Sequence, residues 1–139
     1  MDLEQTLAAA PLLADLDKKI IKVLAKAGTR RVYAPGEWII QQGAPALALY
    51  VILRGHARAQ KDGEQDRTPG ELYAGDFFGE LALIEDHART ASVKAVEETE
   101  CILFVSWEFL PLLKEHPQMA VPIMNALIKR LHRREHKPS

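Results

Sequence analysis

The sequence has little from which cross-links, metal clusters or membrane spans could be built. Its single cysteine, Cys101, excludes an internal disulfide and a multi-cysteine metal site. No apolar run approaches the roughly 20 residues that a membrane-spanning helix needs. The N-terminal "MDLEQTLAAAPLLADLD" carries acidic residues where a signal peptide carries basic ones. These absences predict a reduced compartment, and we expect the chain in the cytoplasm, without a membrane partner.

The sequence also lacks an excess of charge and the common catalytic patterns. Its net charge of -1 gives no general attraction for a polyanion. There is no P-loop and no nucleophile elbow, and no histidine pair has HxH or HExxH spacing. The histidines are His56, His87, His116, His132 and His136. The residues therefore predict a protein that is not an enzyme and has no metal ion or cofactor, which also disfavours a metal-binding cupin.

At 139 residues the chain fits one domain. Residues 12–27 repeat apolar positions at helical spacing, with Leu16, Ile20 and Leu24 on one stripe, Asp15 or Asp17 near the start and Gly28 past the end. The pattern predicts an amphipathic helix. We assign a helical N-terminus to residues 1–29, a β-roll to 30–106 and C-terminal helices to 107–135.

Short β-like runs separated by glycine or proline fill the middle of the chain. They are "RVYAPGEWII", "ALYVILRGHARAQ", "ELYAGDFFGE", "RTASVKAV" and "ECILFVSW", with a turn predicted at "KDGEQD". This spacing is typical of an antiparallel roll or barrel. In "ECILFVSW" apolar residues occupy both alternating faces, so we expect this strand to be covered on both sides, with Cys101 as a small buried hydrophobe.

Helical spacing returns after the strands. "WEFLPLLKEHP" predicts a short helix, and Met119, Ile123, Leu127 and Leu131 form a stripe on a terminal helix that Pro122 either starts or kinks. The terminal "KRLHRREHK" complements a helix C-terminus, which favours a solvated basic end over a nucleic-acid site.

Residues 77–93, "FFGELALIEDHARTASV", place a glutamate and an arginine among apolar residues. Gly79 lets a ligand approach the backbone, and "ELALIE" can start a helical turn whose first N–H groups attract an anion. Arg89 can bridge two phosphate oxygens. Glu80 would repel a phosphate, but it can accept a hydrogen bond from a neighbouring hydroxyl such as a ribose 2′-hydroxyl. The segment therefore predicts a small ligand with one negative charge and an adjacent hydroxyl.

This segment resembles the phosphate-binding segment of the cyclic nucleotide-binding domain family. Residues 33–55, "YAPGEWIIQQGAPALALYVILRG", resemble the first strands of the family's β-roll, with Pro-Gly-Glu, a downstream glycine and an aromatic residue before "VILRG". The flanking helices match as well, so the resemblance covers nearly the whole chain. It implies a mainly β fold: an antiparallel, jelly-roll-like β-roll with an N-terminal helix, a short helix in the phosphate segment and C-terminal helices.

The resemblance also implies roles for individual residues. Glu80 would bind the ribose 2′-hydroxyl and Arg89 the phosphate oxygens, with Thr90 reaching the phosphate. Backbone amides along the sugar and phosphate would come from Gly79, Glu80, Leu81 and Ala82. The apolar pocket around the base would include Val51, Leu72 and Phe78, and Arg130 would close over the purine. Ser92 fits a ligand role or a strand role, and the strand role is favoured.

The resulting hypothesis is a non-catalytic sensor of cAMP or cGMP. Ligand binding would shift the position of the terminal helix and so act on a protein partner or a second copy of the chain. Transcription factors of the family carry a helix-turn-helix domain after that helix, and this chain ends at Ser139, so we expect no DNA binding. The alternative is a protein-interaction module of the same fold that binds no nucleotide.

Overall fold

A computed structural model describes residues 3–9, 13–14, 16–41, 43, 48–60, 70–79 and 92–135, with only the backbone described at 9, 126, 127 and 130–135. The helices are α1 (Leu3–Ala9), α2 (Lys18–Ala27), α3 (Ser106–Glu115), a 3-10 turn (Pro117–Met119) and α4 (Ala120–Glu135). The strands are β1 (Thr29–Tyr33), β2 (Trp38–Ile40), β3 (Ala48–Arg54), β4 (His56–Gln60), β5 (Gly70–Tyr73), β6 (Phe77–Phe78), β7 (Ser92–Ala95) and β8 (Thr99–Val105).

The strands form two four-stranded sheets in which every described pairing is antiparallel. The first sheet has the order β1-β8-β3-β6 and the second β2-β7-β4-β5. The chain passes from the first sheet to the second at Gly55, which has a φ of +106° between β3 and β4. The predicted antiparallel β-roll with flanking helices is confirmed.

Two apolar cores lie on opposite faces of the first sheet. The roll core, inside the β-roll, contains Tyr33, Ile39, Ile52, Ala57, Leu72, Phe78, Val93, Ala95, Cys101 and Leu103. The helical core contains Leu7, Leu13, Ile20, Ile21, Leu24, Leu49, Val51, Leu53, Phe77, Ile102, Phe104, Phe109 and Met119. Strand β8 contributes alternate residues to both cores, as its apolar residues on both faces predict.

Helix α2 begins later than the sequence pattern predicts. It starts at Lys18, because the Asp17 side chain accepts a hydrogen bond of 3.2 Å from the Ile20 N–H and so caps the first turn. Ile20 and Leu24 are buried as predicted, and Leu16 packs against the helical core from outside the helix. The turn predicted at "KDGEQD" lies outside the described residues.

The C-terminal helices pack on the helical core through the described part of the predicted apolar stripe. Met119 is buried in the helical core and Ile123 packs against it, whereas the side chains of Leu127 and Leu131 lie outside the description. Pro122 lies in the first turn of α4, where its missing N–H removes no intrahelical hydrogen bond. In the described part of the chain, no helix combines the length and apolarity needed to cross a membrane.

Candidate functional site

The segment predicted to bind an anion joins the two sheets. Before it, β6 ends at Phe78 as an edge strand of the first sheet, and after it β7 begins at Ser92 in the second sheet. Phe78 and Val93, near the two ends of the segment, both belong to the roll core. The predicted ligand residues between them, Glu80, Leu81, Ala82, Arg89 and Thr90, lie outside the described residues. The described structure therefore sets where the segment leaves and rejoins the roll.

Among the residues predicted to contact the sugar and the phosphate, Gly79 is the one that the structure describes. Its φ of +79° lies in the left-handed region, which costs a residue with a side chain about 1–2 kcal/mol. A glycine at this position therefore satisfies a backbone requirement as well as the expected close approach of a ligand. The sequence alone indicated the second reason and not the first.

An aromatic pair lies directly before Gly79. Tyr50 on β3 is paired with Phe78 on β6, and their rings stack with centroids 4.9 Å apart and planes 8° apart. Phe78 is buried in the roll core, and Tyr50 is half-buried at its margin. Tyr50 was not among the residues predicted for the pocket. The available signal was its position as the aromatic residue before "VILRG", but only the strand register brings it to Phe78.

The three residues predicted to surround the base do not share a location. Leu72 on β5 and Phe78 both lie in the roll core. Val51 lies in the helical core, 1% exposed, on the opposite face of the first sheet. Because successive side chains of a strand alternate between faces, Tyr50 and Ile52 turn toward the roll while Val51 turns away from it. The prediction for Val51 is therefore corrected: it does not line the roll interior.

Two further predicted residues have limited descriptions. Ser92 is 6% exposed at the first position of β7, immediately after the undescribed segment. This burial is compatible with both the ligand role and the strand role. Arg130 belongs to α4, but its side chain lies outside the description.

The described part of the roll core contains no charged side chain. Burial raises the pKa of the Cys101 thiol to about 12 and that of the Tyr33 phenol to about 12. Both groups therefore stay neutral at physiological pH, and Cys101 is the buried hydrophobe that its strand predicted. An anion held here would need a positive group from outside this core, and Arg89 in the connecting segment is such a group.

A metal site receives no support from the described residues. Among them, no group of three or more histidine, cysteine, aspartate or glutamate side chains is placed to hold a metal ion. The described geometry offers an apolar interior, a left-handed glycine at its edge and a connection between two sheets. An apolar interior of this kind suits the apolar part of a small ligand, and polar contacts would have to come from the connecting segment.

Known proteins resemble this chain in both sequence and architecture. Residues 30–116 match the model of a family described as the cyclic nucleotide-binding domain. The cyclic AMP receptor protein of Thermus thermophilus is 32% identical over 124 residues, covering 88% of this chain and 57% of that protein. The cAMP-dependent protein kinase regulatory subunit of Emericella nidulans is 38% identical over 98 residues, covering 70% of this chain and 23% of that protein.

A solved structure shows the same arrangement of elements. The crystal structure of the Thermus thermophilus catabolite activator protein matches with a TM-score of 0.78 at 31% identity, covering 91% of this chain and 60% of that chain. This chain therefore spans little more than half the length of these bacterial proteins.

Proposed function

The chain belongs to the cyclic nucleotide-binding domain family, and from this premise we propose that it is a non-catalytic sensor of cAMP or cGMP. One observation carries the proposal. The family match over residues 30–116 includes the whole of "FGELALIEDHARTASV", with both the glutamate and the arginine that the ligand requires. We place this sensor in the cytoplasm, where the nucleotide is free to reach it.

In this proposal the ligand's charge and its hydroxyl are met by different residues. Arg89 binds the phosphate oxygens, supported by Thr90 and by the amides that follow Gly79, since a guanidinium matches two phosphate oxygens at once. Glu80 accepts a hydrogen bond from the ribose 2′-hydroxyl. The base lies toward Leu72 and Phe78 at the roll core, with Tyr50 extending the aromatic wall beside Phe78. Arg130 of α4 lies over the base.

The position of β6 supports a coupling between the ligand and the C-terminal helices. Phe78 lies in the roll core, whereas Phe77, its neighbour, lies in the helical core together with Phe109 of α3 and Met119. A displacement of Gly79 would therefore move an aromatic side chain in each core at once, because closely packed cores transmit small shifts. We propose that the nucleotide favours one position of α3 and α4 in this way.

An exposed apolar face on α4 supports a protein contact as the output. Val121, Met124 and Ile128 are 56%, 57% and 49% exposed. Their spacing of three and then four residues places them on one side of the helix. We propose that this face binds a second copy of the chain or a protein partner, and that the nucleotide changes its availability. Sedimentation velocity with and without cAMP would distinguish a change of oligomeric state from binding to another protein.

Titration calorimetry with cAMP and with cGMP tests the ligand. We expect saturable binding at one site for at least one of them. Arg89→Ala should weaken that binding by about 1.5–3 kcal/mol, because it removes a charged hydrogen-bonding partner. Lys22→Ala is a control for the loss of a positive charge, since Lys22 is exposed on α2, outside the β-roll. If neither nucleotide gives heat at high protein concentration, the chain is an interaction module of this fold.

Tryptophan fluorescence tests the coupling separately. The chain contains two tryptophans, Trp38 on β2 and Trp107 on α3, and Trp107 is 63% exposed. In a Trp38→Phe variant, the emission of Trp107 reports on the C-terminal helices alone. We expect cAMP to shift this emission. The coupling would be contradicted if calorimetry showed binding while both the Trp107 emission and the hydrogen exchange of α3 stayed unchanged.

A further inference from the structure

The strand that carries Leu72 is an edge strand of the second sheet. β5 has four residues, lies at the edge of the sheet and pairs only with β4 among the described strands. Its inward residue Leu72 lies in the roll core beside Phe78, whereas Glu71 and Tyr73 point to the outer face on either side of it. The placement of Leu72 therefore depends on the pairing of β5 with β4 and on what holds these two outer residues.

A cluster on the outer face holds both of them. One carboxylate oxygen of Glu71 accepts a hydrogen bond of 2.8 Å from the Arg58 Nε, and the other contacts the His56 Nε2. The ring of Tyr73 stacks on the His56 ring with centroids 4.5 Å apart. We call Glu71, Arg58, His56 and Tyr73 the Glu71 cluster. It joins β5 to β4 through side chains directly opposite each other, the pairs that stabilise strand registers.

The other end of β5 is fixed by one hydrogen bond to a side chain and two backbone hydrogen bonds. In the turn after it, the Tyr73 N–H bonds to the Asp76 carboxylate at 2.8 Å. The Ile52 N–H bonds to the Asp76 carbonyl at 2.9 Å, and the Gly75 N–H bonds to the Ile52 carbonyl at 2.8 Å. These bonds tie the turn to β3. The Glu71 cluster is thus the side-chain contribution that holds β5 against β4 where Leu72 enters the core.

We propose that Glu71 is a positioning residue for the nucleotide base. By holding Arg58 and His56 it keeps β5 in register and Leu72 against the base, although it lies on the face away from the ligand. This inference rests on the proposed function, because it assumes that the base lies at Leu72. It predicts a selective effect: loosening β5 weakens contacts to the base and leaves those to the sugar and phosphate unchanged.

The test compares two ligands on the Glu71→Gln variant. One is cAMP, and the other is a methyl riboside 3′,5′-cyclic phosphate, which has the same sugar and phosphate but no base. Affinities are measured by displacement of a fluorescent cAMP analogue. We expect Glu71→Gln to weaken cAMP binding about 3- to 10-fold and to leave the base-free ligand within about 2-fold. The Arg58–Glu71 pair is partly exposed, so its loss costs about as much as that of an ordinary hydrogen bond.

Two further variants control for structural damage. Glu98→Gln makes the same chemical change in an exposed ion pair away from β5, between Arg54 on β3 and Glu98 in the connection before β8, which are 3.0 Å apart. It should leave both affinities unchanged. Arg58→Gln removes the other partner and retains Glu71 for His56. It should reproduce the selective effect, and the double variant should bind cAMP no more weakly than Glu71→Gln, because Arg58 acts on β5 through Glu71.

The outcomes separate the two proposals. If the unaltered protein binds no nucleotide, the proposed function fails. If it binds cAMP, but Glu71→Gln and Arg58→Gln leave both affinities unchanged or weaken both ligands equally, the positioning role is overturned while the sensor function stands. A loss confined to the ligand with a base supports the positioning role.

Discussion

Replacement of Gly55 by alanine tests the passage of the chain from the first sheet to the second. Gly55 has a φ of +106°, and a Cβ built there would lie 2.5 Å from the Glu98 carbonyl oxygen and 2.7 Å from both Cα and Oγ1 of Thr99. Two of these three atoms belong to the backbone, so rotation of a side chain cannot relieve the contacts. Gly36 provides a matched control, with a φ of +86° and nothing within 4 Å of its Cβ position.

The two substitutions share one energetic cost and differ in another. Both place an alanine at positive φ, which costs about 1–2 kcal/mol. Only Gly55→Ala also forces a methyl group into occupied space, and overpacking of this kind costs about 1–3 kcal/mol. We therefore expect Gly36→Ala to lower the free energy of unfolding by about 1–2 kcal/mol. Gly55→Ala should lower it by about 2–5 kcal/mol, a large share of the stability of a domain this size.

Urea unfolding followed by circular dichroism measures both values. The dependence of the unfolding free energy on urea should be the same for both variants, so that the midpoints report stability. The reasoning would be refuted if the two variants were destabilised equally, because the contacts at Glu98 and Thr99 would then carry no cost. It would also be refuted if Gly55→Ala were as stable as the unaltered protein.

Two other predictions concern buried polar groups. The Thr99 hydroxyl accepts a hydrogen bond of 3.2 Å from the His56 N–H, and valine at this position removes that acceptor. Thr99→Val should therefore lower the free energy of unfolding by about 1–3 kcal/mol, and Thr99→Ser should lower it less. Equal urea midpoints for the two variants would contradict this. The free energy of unfolding should also fall as pH rises from 9 to about 12, since burial raises the pKa of the Cys101 thiol from 9.0 to about 12 and the unfolded chain releases this proton first. In the Cys101→Ala variant the free energy of unfolding, measured by urea titration at each pH, should fall less over this range. If its dependence on pH were unchanged, the thiol would make no contribution.

Much of the architecture could be predicted because it follows from local periodicity. Apolar residues at successive positions predicted β8 with two covered faces, and helical spacing predicted α2 and the inward positions of Met119 and Ile123. The start of α2 was misplaced, since an apolar stripe continues through residues that precede the cap, and Asp17 ends it by bonding to the Ile20 N–H. Periodicity reports which side of an element is apolar, but capping decides where the element begins.

At the candidate site, too, some properties could be predicted from the sequence and others depended on the tertiary structure. The sequence by itself led to the proposed chemistry: a glycine, a glutamate and an arginine in one segment predict a phosphate and a neighbouring hydroxyl. Only the tertiary structure decided which of the apolar candidates lie inside the roll. Leu72 and Phe78 lie inside the roll, Val51 lies on its far side, and Tyr50 joins Phe78. The physical reason is that strand pairing and register, which depend on distant parts of the chain, assign each side chain to a face.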